Sequence, residues 1–211
     1  MFEQMDQEHS NALDEIMEAR FSVRAFSDAP PKKKDIERIV RAGFNTPFAG
    51  KPARGRDDFR RIMVIRTDSD TMKSVEAILL DRIARMSNEM LGKSAGEPPD
   101  NIVYYFRNAP YLIIAAERKG YPITYMSDHS ISLSYCMYGM WLKATTLKIG
   151  FKLVSAFIQA KLGNDEEFCR LTGLPCGEYA LDACVVGYPH DQLKPPQVNY
   201  PDYERNTLWF C

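Results

Sequence analysis

Between Asp128 and Ile149 runs one stretch, Ile131-Ser132-Leu133-Ser134-Tyr135-Cys136-Met137-Tyr138-Gly139-Met140-Trp141-Leu142 and on through Ala144 and Leu147, whose apolar residues fall on nearly every helical face. A helix with no polar side is stable only when other elements cover it, so this segment is expected to be buried all round as the central core helix. The small residues Ser132, Ser134, Gly139 and Ala144 would let another backbone approach it closely. A chain of 211 residues is long enough to surround such a helix and short enough to do so once. The expectation is therefore a single domain over residues 1–211, with the proline-rich stretch 192–211 as a C-terminal arm. Leu208-Trp209-Phe210 make that arm too apolar for a solvated tail.

The flanking segments supply the covering elements. Leu13, Ile16 and Met17 share one face of a helix predicted from Asn11 to Arg20, with Ser10 as its cap. Ile36, Ile39 and Val40 mark a second helix, Asp35 to Ala42, with Gly43 as terminator. Phe59 to Arg66 and Tyr111 to Ala116 read as strands, as does Ala183 to Gly187. From Asp70 to Met90 the residues Met72, Val75, Leu79, Ile83, Met86 and Met90 form an apolar seam that faces either this chain's own core or a partner. Asn164-Asp165-Glu166-Glu167 opens a short helix to Leu171, closed by Gly173. Four strand candidates emerge in all, these three among them, with a fifth in the arm. They are interspersed with helices in an α/β or α+β order.

Several function classes are excluded. The net charge of −1 gives nucleic acid little reason to bind. No run of roughly 18 uncharged apolar residues exists, and the start of the chain lacks the layout of a signal peptide, so no membrane partner and a cytoplasmic location are expected. The five cysteines contain no C-x-x-C pair, which argues for reduced thiols. No G-x-G-x-x-G, P-loop, G-x-S-x-G or H-E-x-x-H pattern is present. Asp128-His129-Ser130 cannot serve as a hydrolytic triad, because neighbours on a helix point in different directions. Asp128 is better placed as a cap or first-turn charge of the central helix.

The segment Arg20-Phe21-Ser22-Val23-Arg24-Ala25-Phe26 is different. If it is extended, Arg20, Ser22 and Arg24 project to one side while Phe21 and Val23 enter the core. Two guanidinium forks and a hydroxyl converging on one place suit a phosphate. Alternatively, the arginines only pair with surface carboxylates such as Glu15 or Glu18.

Ala19 to Phe26 resembles the R-x-S-x-R-x-F signature near the start of the FMN-dependent nitroreductase family. Ala42 through Pro52 occupies the place of that family's A-P-S-x-x-N-x-Q-P loop, with Thr46 for the alanine, Phe48 for the serine, and Lys51 before Pro52 in place of the amide residues. Ile149-Gly150-Phe151 resembles its L-G-L-G turn. Leu174-Pro175 and Val185-Val186-Gly187-Tyr188-Pro189 resemble its closing L-G-I-P and I-G-Y-P pieces. The likeness spans about residues 11 to 195.

The resemblance implies an α+β fold, with a central antiparallel or mixed sheet flanked by helices, and an interlocked homodimer with two FMN sites at its interface. Arg20, Phe21, Ser22 and Arg24 would form the segment that holds the phosphate and ribityl chain or the ring's polar edge, and Lys194 would add a phosphate contact. Thr46, Pro47, Phe48 and Ala49 would pass against the isoalloxazine from the second subunit, with Lys51 near the pyrimidine end. The backbone of Leu153, Val154, Ser155 and Ala156 would lie by the ring's N5 side. The implied activity is ping-pong electron transfer from NADH or NADPH to a nitroaromatic, quinone or similar small-molecule acceptor. A reductive dehalogenase-like flavoenzyme and a flavin-binding protein with little turnover are the alternatives. Residues from Met86 to Tyr104 would form a substrate lid.

Overall fold

The computed structural model describes residues 7–48, 57–91, 108–119, 128–193, 195–196 and 203–209. The elements in chain order are α1 (Gln7–Ala19), α2 (Lys33–Phe44), β1 (Arg60–Arg66), α3 (Asp70–Leu91), β2 (Tyr111–Arg118), α4 (Asp128–Thr146), β3 (Gly150–Leu153), α5 (Ala156–Ala160), α6 (Glu166–Thr172), β4 (Tyr179–Gly187) and α7 (Tyr203–Asn206). The strands form one sheet in the order β1-β2-β4-β3, antiparallel throughout. The expected α+β class is what is observed.

Both faces of the sheet are covered, which is why β2 reads as an unbroken apolar run rather than an alternating one. Leu112, Ile114 and Ala116 of β2, with Leu181, Ala183 and Val185 of β4, point into a core completed by Met72, Val75 and Leu79 of α3, Phe157 of α5 and Phe168 of α6. Ile113 and Ala115, with Cys184 and Val186, point the other way, into a core completed by Ile36 and Ile39 of α2 and by Leu133, Cys136, Met137 and Met140 of α4. The α3 seam is thus intramolecular through Met72, Val75 and Leu79, with Ile83 packed against the same core.

Several expectations are corrected. The α4 helix is not buried all round: Ile131 is 42% and Tyr135 48% exposed, because only the face carrying Leu133, Cys136, Met137 and Met140 meets the sheet and α2. Gly43 does not terminate α2, which continues to Phe44. It is instead the crossing point with α4, where a Cβ would stand 2.9 Å from Met140 Cγ and 3.0 Å from Cys136 Sγ. The first helix begins at Gln7, so Ser10 lies inside it and is not its cap. The last strand starts at Tyr179, four residues before the Ala183 start read from the sequence. Residues 150–153, read only as a turn, form the edge strand β3.

Other expectations hold. Asp165 caps α6 through a bond accepted from Phe168 N at 2.9 Å, and Gly173 closes it in the left-handed region at φ 69°. Cys136, Cys169, Cys176 and Cys184 are unpaired thiols. Among the described residues, no helix is long and apolar enough to cross a membrane.

Candidate functional site

The segment 20–26 runs beside β3, where Ser22 bridges in parallel to Phe151 and Val23 N donates to Phe151 O at 3.1 Å. Gly150 makes this approach feasible, since a Cβ there would meet three Val23 carbons at 2.8–2.9 Å. Further along, Phe26 bridges to Pro189. The predicted alternation is realised on the core side: Val23 is buried, and Phe21 packs against the same core.

On the opposite side, the Arg20 guanidinium lies over two rings of α4, 5.4 Å from the centre of Tyr138 and 5.3 Å from that of Trp141. Trp141 in turn stacks on Phe151 with ring centres 5.4 Å apart. Arg20 Nε is buried and has no hydrogen-bond partner. Among the described residues neither Arg20 nor Arg24 forms an ion pair, so the alternative pairing with Glu15 or Glu18 is not formed.

Arg24 is exposed and lines a cavity of about 380 Å³ with Ser27, Arg66, Thr67 and Asn108. Lys152, on β3, is held below the usual lysine range at about 8, first by burial and then by the charge of Arg24. Lys152 on this edge therefore lies within Coulombic reach of Arg24, while Arg20 sits against α4 with its Nε unpartnered.

The chain leaves β3 through Leu153 and Val154 and enters α5 at Ala156. Val154 N donates to Ala183 O at 2.8 Å, which anchors the turn; Leu153 and Ser155 are exposed and Ala156 is half-buried. Residues 20–24 and 153–156 thus belong to the same β3 edge. Thr46, Pro47 and Phe48 do not: they follow α2 and attach to β1, at the other edge of the sheet. Three strand spacings of roughly 4.8 Å put these edges about 14 Å apart. Ala49, Lys51 and Lys194 lie outside the described residues, as does most of the Met86 to Tyr104 stretch.

Sequence reasoning missed Tyr138 and Trp141 of α4, the buried pair Arg60 and Glu117, and Asp182. Tyr138 and Trp141 were absorbed into an all-round apolar helix, although aromatic residues three apart on one face are a ready seat for a guanidinium. Arg60 was read as an ordinary strand residue, yet its side chain is fully buried, as is that of Glu117, to which its Nε donates. A charge opening one strand and an opposite charge ending another is the available signal, visible only once the register Arg60↔Glu117 is known. Desolvation pushes Glu117 up to about 7 despite the opposing effect of Arg60. Asp182, on β4, is likewise raised by burial to about 6, offset only by the bond it accepts from Ala183 N. It lines a second cavity, about 420 Å³, with His129, Leu133, Phe157 and Lys161.

No curated protein matches the sequence. Among solved structures, the chain is similar to a BluB-like flavoprotein from Clostridium difficile 630, at TM-score 0.71 and 20% identity, covering 94% of this chain and 99% of that one. A nitroreductase with bound FMN from Desulfitobacterium hafniense DCB-2 superposes at TM-score 0.67 and 22% identity over 98% of this chain and 100% of the other. A further nitroreductase with bound FMN, from Bacteroides fragilis NCTC 9343, gives 0.65 and 20% over 90% and 96%. These likenesses establish the fold. The sequence profile of the Nitroreductase family matches residues 17–188, from the end of α1 through the segment 20–26, the β3 edge and the close of β4, and the chain belongs to that family.

Proposed function

We propose that this protein binds FMN and passes electrons from NADH or NADPH to a nitroaromatic, quinone or similar conjugated acceptor, as a homodimer whose sites draw on both subunits. The observation that carries this reading is Arg20. Its guanidinium is seated on Tyr138 and Trp141, its Nε is buried without a partner, and no carboxylate neutralises it among the described residues. A buried donor left unmade is costly, of the order of 1–3 kcal/mol, so a site of this kind favours an anion that completes it. A phosphate monoester offers three acceptor oxygens and a double charge, and Arg24 and the neighbouring Lys152 add to its attraction. The residues present fit the phosphate end of FMN.

On this reading Arg20, Ser22 and Arg24, with Lys194, hold the phosphate and ribityl chain. Phe21 fixes the segment from the core side. The turn Leu153, Val154, Ser155 and Ala156 lies by the ring's N5 side, and Thr46, Pro47, Phe48, Ala49 and Lys51 of a second subunit lie against the ring. Bound FMN would supply hydride acceptance and two-electron donation in alternating half-reactions, while the protein supplies position and electrostatics. Arg24 and Lys152 give this side a positive charge that favours a bound anion. The exposed amide-bearing turn at Ser155 offers backbone donors without presenting an ionisable side chain that would compete for a proton.

Two observations support assembly as a pair. The 46–48 loop is tied to β1, which lies about 14 Å of sheet from β3 by strand spacing, so the two groups of residues stand at opposite edges of one chain. Apolar side chains are also left facing solvent on α1, α4 and the arm, including Leu13, Met17, Ile131, Tyr135, Leu208 and Trp209.

The test is the visible spectrum of the purified protein, after incubation with FMN and gel filtration, followed anaerobically as NADH or NADPH is added. Co-elution of flavin and rapid loss of the oxidised-flavin band are expected. Flavin that binds but resists both nicotinamides would leave only a flavin carrier, and a colourless protein that cannot be reconstituted would end the proposal.

A further inference from the structure

The buried Arg60–Glu117 pair lies at the opposite edge of the sheet from Arg20 and takes no part in the proposed phosphate contacts. Its guanidinium instead gathers the end of α2 and the loop beyond it. Arg60 Nη1 donates to the Gly43 carbonyl, to Thr46 Oγ1 at 2.9 Å and to Thr46 O at 3.4 Å, while Nη2 donates to Pro47 O at 3.3 Å. Thr46 Oγ1 also donates to Gly43 O at 2.7 Å. The last carbonyls of a helix have no intrahelical partner, and here one planar cation supplies donors to the end of α2 and to the two residues leading away from it.

The loop is held from two further sides. Thr46 packs into the notch of Gly139 on α4, where a Cβ would stand only 2.4 Å from Thr46 Cγ2. Phe48 sits edge-on to Phe59, the residue before Arg60, with ring centres 4.7 Å apart. Glu117 bonds Nε and so sets the plane of the guanidinium; the fork then fixes where the carbonyls of Gly43, Thr46 and Pro47 can lie. A lysine would keep the charge but could not span this set of acceptors in one plane.

We infer that Arg60, oriented by Glu117, is a positioning residue that presents Thr46, Pro47 and Phe48 to the flavin of the partner subunit. This rests on the functional reading above. A buried ion pair is weak ground for stability, because apolar replacements of similar size are often as stable, so the hydrogen bonds that Arg60 makes to the loop point to a role in specifying geometry.

The experiment uses the full chain reconstituted with FMN and compares wild type, Arg60→Lys and the double variant Arg60→Met/Glu117→Leu. The double variant removes both buried charges together and so guards against simple misfolding. Three quantities are read: the FMN dissociation constant by fluorescence titration, the flavin midpoint potential, and amide hydrogen exchange of Asn45, Thr46 and Phe48 in the flavin-free protein. Both variants are expected to keep the wild-type fold by circular dichroism, to bind FMN at least tenfold more weakly, to shift the potential, and to exchange the loop amides faster than wild type does while those of β2 are unchanged. Wild-type affinity and potential in a folded Arg60→Lys or double variant would overturn the inference, as would faster exchange with unchanged flavin binding. Misfolding of the double variant leaves Arg60→Lys to decide. A wild-type protein that takes up no FMN overturns the functional reading itself, and the exchange data then show separately whether Arg60 orders the loop.

Discussion

At the scale of single residues, Arg20 and Asp182 illustrate how burial assigns opposite fates to charge. The Arg20 guanidinium is supported by aromatic faces rather than by a carboxylate, which leaves its donors for an external anion. Arg20→Ala should weaken FMN binding about ten- to hundredfold, the range corresponding to roughly 1.5–3 kcal/mol for a hydrogen bond to a charged group. Arg20→Lys should recover only part of that loss, because an ammonium lacks the planar fork that stacks and chelates; fluorescence titration measures both. Asp182 has no such outlet. Its carboxyl rises from 3.8 to about 6 on folding. Between those values the folded chain holds a proton that the unfolded chain has released, so its contribution to stability is complete below 3.8 and is lost as pH rises through about 6. Glu117, raised from 4.5 to about 7, acts in the same direction over a slightly higher window. Asp182→Asn should flatten the decline in unfolding free energy across the lower window while leaving the Glu117 part in place, which urea denaturation at a series of pH values would record. The extended course of the segment, with Val23 and Phe21 turned to the core, was legible in the sequence because period-two alternation needs no knowledge of neighbours. The aromatic seat under Arg20 and the burial of Asp182 were not, since each depends on what the next element brings.

At the scale of elements, the long helices and the strands β1 and β2 were readable, whereas β3 and the first residues of β4 were not. Met72, Val75 and Leu79 recur at helical spacing and are buried as a row. In β3 only four residues pair, too few to show a period, and glycine opens them. In β4 the first residues, Tyr179-Ala180-Leu181-Asp182, carry a carboxylate where a core strand is expected to be apolar, so the strand was read as starting after it. Its burial also depends on a contact that no local pattern announces: Gly163, before α6, lies so close to β4 that a Cβ would be 2.2 Å from Tyr179 O. A backbone oxygen cannot swing aside. Gly163→Ala should therefore cost at least the 1–3 kcal/mol typical of overpacking, whereas Gly173→Ala, with open space around it but φ at 69°, should cost about 1 kcal/mol in backbone strain alone. Paired denaturant titrations would show the difference in midpoint.

At the scale of the whole molecule, the distribution of exposed apolar residues carries information that composition does not. The face of α4 turned away from the sheet was expected to be covered by the chain's own elements; Tyr135 and Ile131 instead remain open. If a second copy covers them, Tyr135→Glu should yield a monomer in sedimentation equilibrium and should weaken flavin binding in parallel, because the 46–48 loop would lose its counterpart. Loss of association with undiminished FMN affinity would show that each chain holds its cofactor alone. The separation between the β3 edge and the β1 edge could not be read from the sequence, since it is a property of strand order, and strand order here runs β1-β2-β4-β3.

The stacking of Trp141 on Phe151 beneath Arg20 has a practical consequence for observing the protein at work. The chain contains two tryptophans; Trp209 is 83% exposed in the single chain, whereas Trp141 stands half-buried beside the residue assigned to the phosphate. In a Trp209→Phe protein the remaining indole emission becomes a built-in optical gauge: energy transfer to an arriving yellow chromophore should dim it in proportion to occupancy, with no external dye.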